Sequence, residues 1–122
     1  MKPVKKLILF LTIFLSSFSA QAIELNEITP ATDEQIQKIR KSLEDTLFDA
    51  ESARIKDAVI IKSAGTIDHV CGKVNSKNLY GAYVGYQWFM GTKMNLKSGL
   101  EVITIMPIGD VAEEFCDKLM NS

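Results

Sequence analysis

Three observations predict an α+β fold: a four-stranded, mainly antiparallel meander flanked by an N-terminal and a C-terminal helix. A helical-period apolar stripe occurs near each end of the domain. Between them lie four β-type runs separated by short turn-like breaks. Two cysteines, Cys71 and Cys116, offer one disulfide to tie the layers.

The chain of 122 residues opens with Lys2, Lys5 and Lys6, an apolar run from Leu7 to Leu15, and Ala20-Gln21-Ala22. This is the pattern of a secretory signal peptide over residues 1–22. Its apolar run is too short for a membrane span. The expected mature product, residues 23–122, is one small domain that is periplasmic or secreted, with no membrane span. It keeps 11 basic and 15 acidic side chains, a net charge of −4. That composition excludes a multidomain protein, a polytopic membrane protein and a strongly basic nucleic-acid binder.

Residues 23–29 read as a lead-in. Ile36, Ile39, Leu43 and Leu47 recur at three- and four-residue steps, which predicts a helix over about 31–48. Pro30 or a Thr32–Gln35 capping box starts it. Residues 48–56 break the pattern and read as a last turn or a loop. Ala58–Lys62 is β-branched and predicts the first strand, with a turn around Gly65 after it. Ile67–Asn75 predicts the second strand, and Ser76-Lys77-Asn78 a short hairpin connection. Leu79–Met90 predicts a long third strand, followed by a polar loop over 91–99. Leu100–Met106 predicts the fourth strand, stopped by Pro107. Asp110, paired with Glu113, is expected to cap a C-terminal helix whose apolar face carries Val111, Ala112, Phe115 and Leu119. Helices at both ends of the chain can cover one face of such a sheet.

A Cys71–Cys116 bridge would join the second strand to the C-terminal helix, and export favours it. The competing chemistry is a nucleophilic Cys71 with His69 on the same strand face, which requires a free, low-pKa thiol. His69 is the only histidine, too few for a persuasive zinc site. No cofactor motif is present: there is no phosphate loop, nucleophile elbow or dinucleotide fingerprint.

Five of the seven aromatic residues outside the signal peptide fall within 80–89. On a strand, Tyr80, Tyr86 and Trp88 share the face expected to pack under the helices. Tyr83 and Phe89 share the other, with Gly81 and Gly85 beside Tyr83. That second face reads as aromatic–glycine packing or as a shallow binding platform. Asn75, Lys77 and Asn78 form a polar hairpin tip, explained by turn chemistry or by ligand contact. The candidate binding residues are therefore Tyr83, Phe89, Asn75, Lys77 and Asn78. The remaining charges read as solvated faces.

The run Val70-Cys71-Gly72-Lys73-Val74-Asn75-Ser76-Lys77-Asn78, with Tyr80-Gly81-Ala82-Tyr83 and Gly85-Tyr86 after it, resembles a motif in an uncharacterised family of small exported bacterial proteins. The upstream segment Asp49-Ala50-Glu51-Ser52-Ala53-Arg54-Ile55 resembles a second element of that family. This chain departs from the pattern at Ala50 for Pro, Ile55 for Phe and Ala82 for Gly. The resemblance implies export and a shared scaffold, and brings no catalytic residue. The expected function is a non-enzymatic binding module or inhibitor directed at a protein or cell-envelope ligand. The alternatives are a thiol-dependent or hydrolytic enzyme using Cys71 and His69, and a structural envelope component without a ligand.

Overall fold

The computed structural model describes residues 27–121; the signal-peptide expectation lies outside them. The elements run β1 (Ile28–Pro30), α1 (Asp33–Leu43), β2 (Asp49–Ile61), β3 (Ile67–Lys77), β4 (Gln87–Asn95), β5 (Glu101–Ile108) and α2 (Asp110–Met120). The strands form one sheet in the order β1-β2-β3-β4-β5, every neighbour antiparallel. The α+β meander with a helix near each end thus stands, with five strands rather than four.

Thr32 caps α1 through a capping box: its Oγ1 accepts from Gln35 N–H at 3.2 Å, and Gln35 Oε1 accepts from Thr32 N–H at 2.9 Å. The expected helix over 31–48 ends at Leu43. Of residues 48–56, expected as a turn or loop, Asp49 to Lys56 instead form the first half of β2. Alternation fails there because β2 carries extra residues between its pairings Asp49↔Lys77, Arg54↔Asn75, Lys56↔Lys73 and Val59↔Cys71. Asp57 sits in the second irregularity at φ 55°, a conformation Asp tolerates better than most side chains.

Three further boundaries differ from expectation. β4 runs through Asn95, so most of the expected 91–99 loop is strand. β5 continues past Pro107 to Ile108, with its extra residue at the cis Met106–Pro107 step. An edge strand tolerates proline because its outward positions need no ladder donor. Gly109, at φ 105°, rather than Asp110, is the N-cap of α2, and no side chain caps that end. Gly109 N–H donates to Trp88 O at 2.8 Å and fixes the helix start on β4.

Strand alternation gives the sheet two buried faces, each with its own helix, rather than one covered face. Ile39 and Leu43 of α1 pack with Ile60, Val70, Val74, Phe89, Ile103 and Ile105. On the opposite face, Cys116 of α2 packs with Ile61 and Cys71, with Val59, Trp88, Met90, Leu119 and Met120 around them. The Cys71–Cys116 disulfide forms as expected, its Cα atoms 6.0 Å apart. It closes a loop with a sequence separation of 45, worth about 4 kcal/mol by chain entropy. Ser42 Oγ accepts from Ile105 N–H at 2.8 Å, so α1 also shields part of the open β5 edge.

Candidate functional site

The α2 face of the sheet is only partly covered. The segment joining β3 to β4, residues 78–86, folds back over its uncovered part. This segment is the expected start of the aromatic strand, and it is not a strand. Gly81 and Gly85 adopt φ of 76° and 100°, and these left-handed positions turn the chain out of the ladder. Tyr83 keeps only a single bridge to Lys77.

Turn chemistry holds the loop. Asn78 Oδ1 accepts from Tyr80 N–H at 2.9 Å and from Ala82 N–H at 3.2 Å. Asn78 N–H donates to Ala82 O, and Gly81 N–H to Asn78 O. Asn75 Oδ1 accepts from Gly85 N–H at 2.9 Å, and Ser76 O accepts from Val84 N–H. Asn75 and Asn78, expected as contact residues, thus spend their carbonyl groups on shaping the loop.

Ser52 on β2 anchors the same loop from the other side. Its carbonyl accepts from Tyr83 OH at 3.0 Å, and its Oγ accepts from Lys77 N–H at 3.2 Å. Asp49 Oδ1 in turn accepts from Ser52 N–H. The two motif segments, 49–55 and 70–86, therefore lie side by side across β2 and β3.

Four cations share this face and meet aromatic rings. The Arg54 guanidinium lies 4.0 Å from the Tyr83 ring centroid, and Lys77 Nζ lies 5.6 Å from the same ring. Lys56 Nζ sits 3.9 Å from the Tyr86 centroid, and Lys73 Nζ 4.8 Å from that of Trp88. Among the described residues, no carboxylate lies within 4.0 Å of any of the four. Lys56 and Lys73 are directly paired across the strands, an arrangement that opposes stability. The rings relieve that repulsion without neutralising it, because a cation over a π face keeps its charge.

The binding residues expected from alternation separate accordingly. Tyr83 and Lys77 belong to this surface, half-buried. Phe89 does not: it is 0% exposed, in the core beneath α1. Tyr80 and Tyr86, expected under the helices, are exposed, whereas Trp88 does pack near α2. Tyr80 is 92% exposed and its neighbour Leu79 72%. Arg54, Lys56 and Lys73 were absent from the expected set. Their spacing carried the signal, since Arg54-x-Lys56 and Lys73-x-Asn75-x-Lys77 each put charges on one strand face.

The enzymatic alternative loses its nucleophile here, because Cys71 Sγ is bonded to Cys116 Sγ. His69 is half-buried, its ring packs edge-on to Phe115 at 5.6 Å, and its Nδ1 has no hydrogen-bond partner among the described residues. Among those residues, no group of three or more His, Cys, Asp or Glu side chains is placed to hold a metal, and no helix is long and apolar enough to cross a membrane. Compared with protein-family models, with curated proteins and with solved structures, the chain matches none.

Proposed function

We propose that the chain is an exported, non-enzymatic binding module whose contact surface is the 78–86 loop with Arg54, Lys56, Lys73 and Lys77 beside it. One observation carries this reading: four cations share one sheet face, each over an aromatic ring and none within ion-pair distance of a described carboxylate. Stability alone does not favour two lysines paired across strands. The fold itself gains nothing from Leu79 and Tyr80 standing in water. The internally bonded loop is pre-organised, so docking orders few groups.

A photo-crosslinking residue at position 80 tests the reading, with position 98 as control. Ser98 is exposed in the turn at the other end of β4. Envelope preparations should give adducts from position 80 and few from position 98. Equal labelling from both positions, or none from either, would refute a contact surface at this loop.

A further inference from the structure

Resting on that reading, we propose that the loop docks on an anionic phospholipid bilayer, inserting Leu79 and Tyr80 at the interface and setting Arg54, Lys56, Lys73 and Lys77 against the headgroups.

Three features of the loop favour a bilayer. First, Leu79 and Tyr80 are the most exposed large apolar side chains of the loop, 72% and 92% exposed. A leucine beside a tyrosine suits the boundary where one end of a side chain is apolar and the other wet. Second, the backbone donors of residues 78, 80, 81, 82, 84 and 85 are bonded within the domain. Leaving water therefore orphans few of the loop's N–H donors, and orphaned polar groups are the main cost of entering lipid.

Third, the charge is complementary. Arg54 and Lys77 flank Tyr83 next to the tip, with Lys56 and Lys73 further along the same face. Asp49, the neighbour of Lys77 on β2, has its carboxylate turned to Ser52 N–H. The acids of α2, Asp110, Glu113, Glu114 and Asp117, line a depression with Trp88, at the Lys73 end of the cationic row. An anionic field therefore favours the Arg54–Lys77 end of the row, at the tip, over the α2 end. With only two inserted side chains, attachment is weak and reversible.

The test uses the processed, disulfide-bonded protein from a periplasmic expression host. It is sedimented with vesicles of phosphatidylcholine alone or of phosphatidylcholine with phosphatidylglycerol. Binding should require phosphatidylglycerol and weaken steeply with salt. Replacing Lys56 or Lys77 by Gln should cost about fivefold in partition coefficient each, and the exposed pair Leu79→Ser/Tyr80→Ser about tenfold or more. In a Tyr80→Trp variant, brominated lipid should quench the emission more strongly than in the parent, where Trp88 alone reports. Quenching that does not distinguish the two proteins refutes insertion, as does binding indifferent to the Ser pair. No binding to anionic vesicles, together with position-80 adducts on a protein, overturns the bilayer while leaving the binding module in place. Self-association abolished by Tyr80→Ser overturns it in favour of a second copy.

Discussion

Lys56 and Lys73 stand directly opposite each other on β2 and β3, and each ammonium rests over a different ring, Tyr86 at 3.9 Å and Trp88 at 4.8 Å. The like-charge pair weakens the sheet, while each ring contact returns about 0.5–1 kcal/mol. Lys56→Glu removes one ring contact and turns the repulsive pair into an attractive one. These effects offset, so the unfolding free energy should stay within about 0.5 kcal/mol of the parent. Urea denaturation reads this directly. A loss well above about 1 kcal/mol would mean that Lys56 serves the fold, not a ligand.

Tyr83 joins the loop to β2 by its hydroxyl and by its ring. Tyr83→Phe removes only the bond to Ser52 O and should cost about 1 kcal/mol. Tyr83→Ala also takes the ring from Arg54 and Lys77 and should release the whole 78–86 loop. Hydrogen exchange separates the two: amides of residues 82–85 should exchange faster in the Ala variant and near the parent rate in the Phe variant. Matching protection in both would show that the loop holds without the ring.

The same residues explain which parts of the fold the sequence made legible. The α1 stripe, the Thr32–Gln35 box, β3 and the disulfide partners follow from periodicity, capping chemistry and cysteine count. The aromatic run did not yield its structure, because alternation of Tyr80, Ala82, Val84 and Tyr86 imitates a strand. Its course is set by Asn75, Asn78, Gly81 and Gly85 acting on backbone groups. β2 was obscured for the opposite reason, since small residues and extra residues erase alternation over Asp49–Ala53. The cationic surface emerges only when β2 and β3 pair, a relation between segments about 20 residues apart.

Two glycines should respond unequally to a methyl group. A Cβ at Gly72 would meet the buried Phe89 ring at 2.5 Å and 2.8 Å and Ala58 Cα at 3.1 Å, so the ring must give way within the core. One at Gly91 would strike the Thr104 carbonyl oxygen, with Ile105 Cδ1 at 2.7 Å, and backbone in a paired strand cannot shift alone. Gly91→Ala should therefore destabilise more than Gly72→Ala, by over about 3 kcal/mol against about 1–3 kcal/mol. Thermal and urea midpoints of both variants give the order, and the reverse order would contradict the β4–β5 packing.

The disulfide links the two layers on one side of the sheet, where α2 is also held by Gly109 N–H to Trp88 O, by Phe115 against the His69 ring, by buried Ala112 and by the contacts of Leu119 and Met120. Reduction should cost about 4 kcal/mol, a large share of the stability of a small domain. The double variant Cys71→Ala/Cys116→Ala should match the reduced parent to within about 1 kcal/mol, because both lose the same loop closure. Denaturation with and without reductant checks this. A parent insensitive to reductant would show that the bridge adds nothing to the native state.

On the α1 face, Asp68 and Lys93 form a buried pair whose remaining partners set the cost of breaking it. Lys93 Nζ lies 3.5 Å from Asp68 Oδ2 and 3.8 Å from Glu101 Oε2. Asp68 also accepts from Asn95 Nδ2 at 3.1 Å and from Ser63 N–H at 3.2 Å. Lys93→Met leaves Asp68, only 3% exposed, with hydrogen bonds but no counter-charge, which should cost about 3 kcal/mol. Asp68→Asn leaves Lys93 still beside Glu101, so its cost should be smaller, about 1–2 kcal/mol. Burial screens the pair from salt, so neither loss should change much between low and high salt in urea denaturation. Equal costs for the two variants would mean that Glu101 does not compensate for the loss of Asp68, leaving Asp68 the principal partner of Lys93.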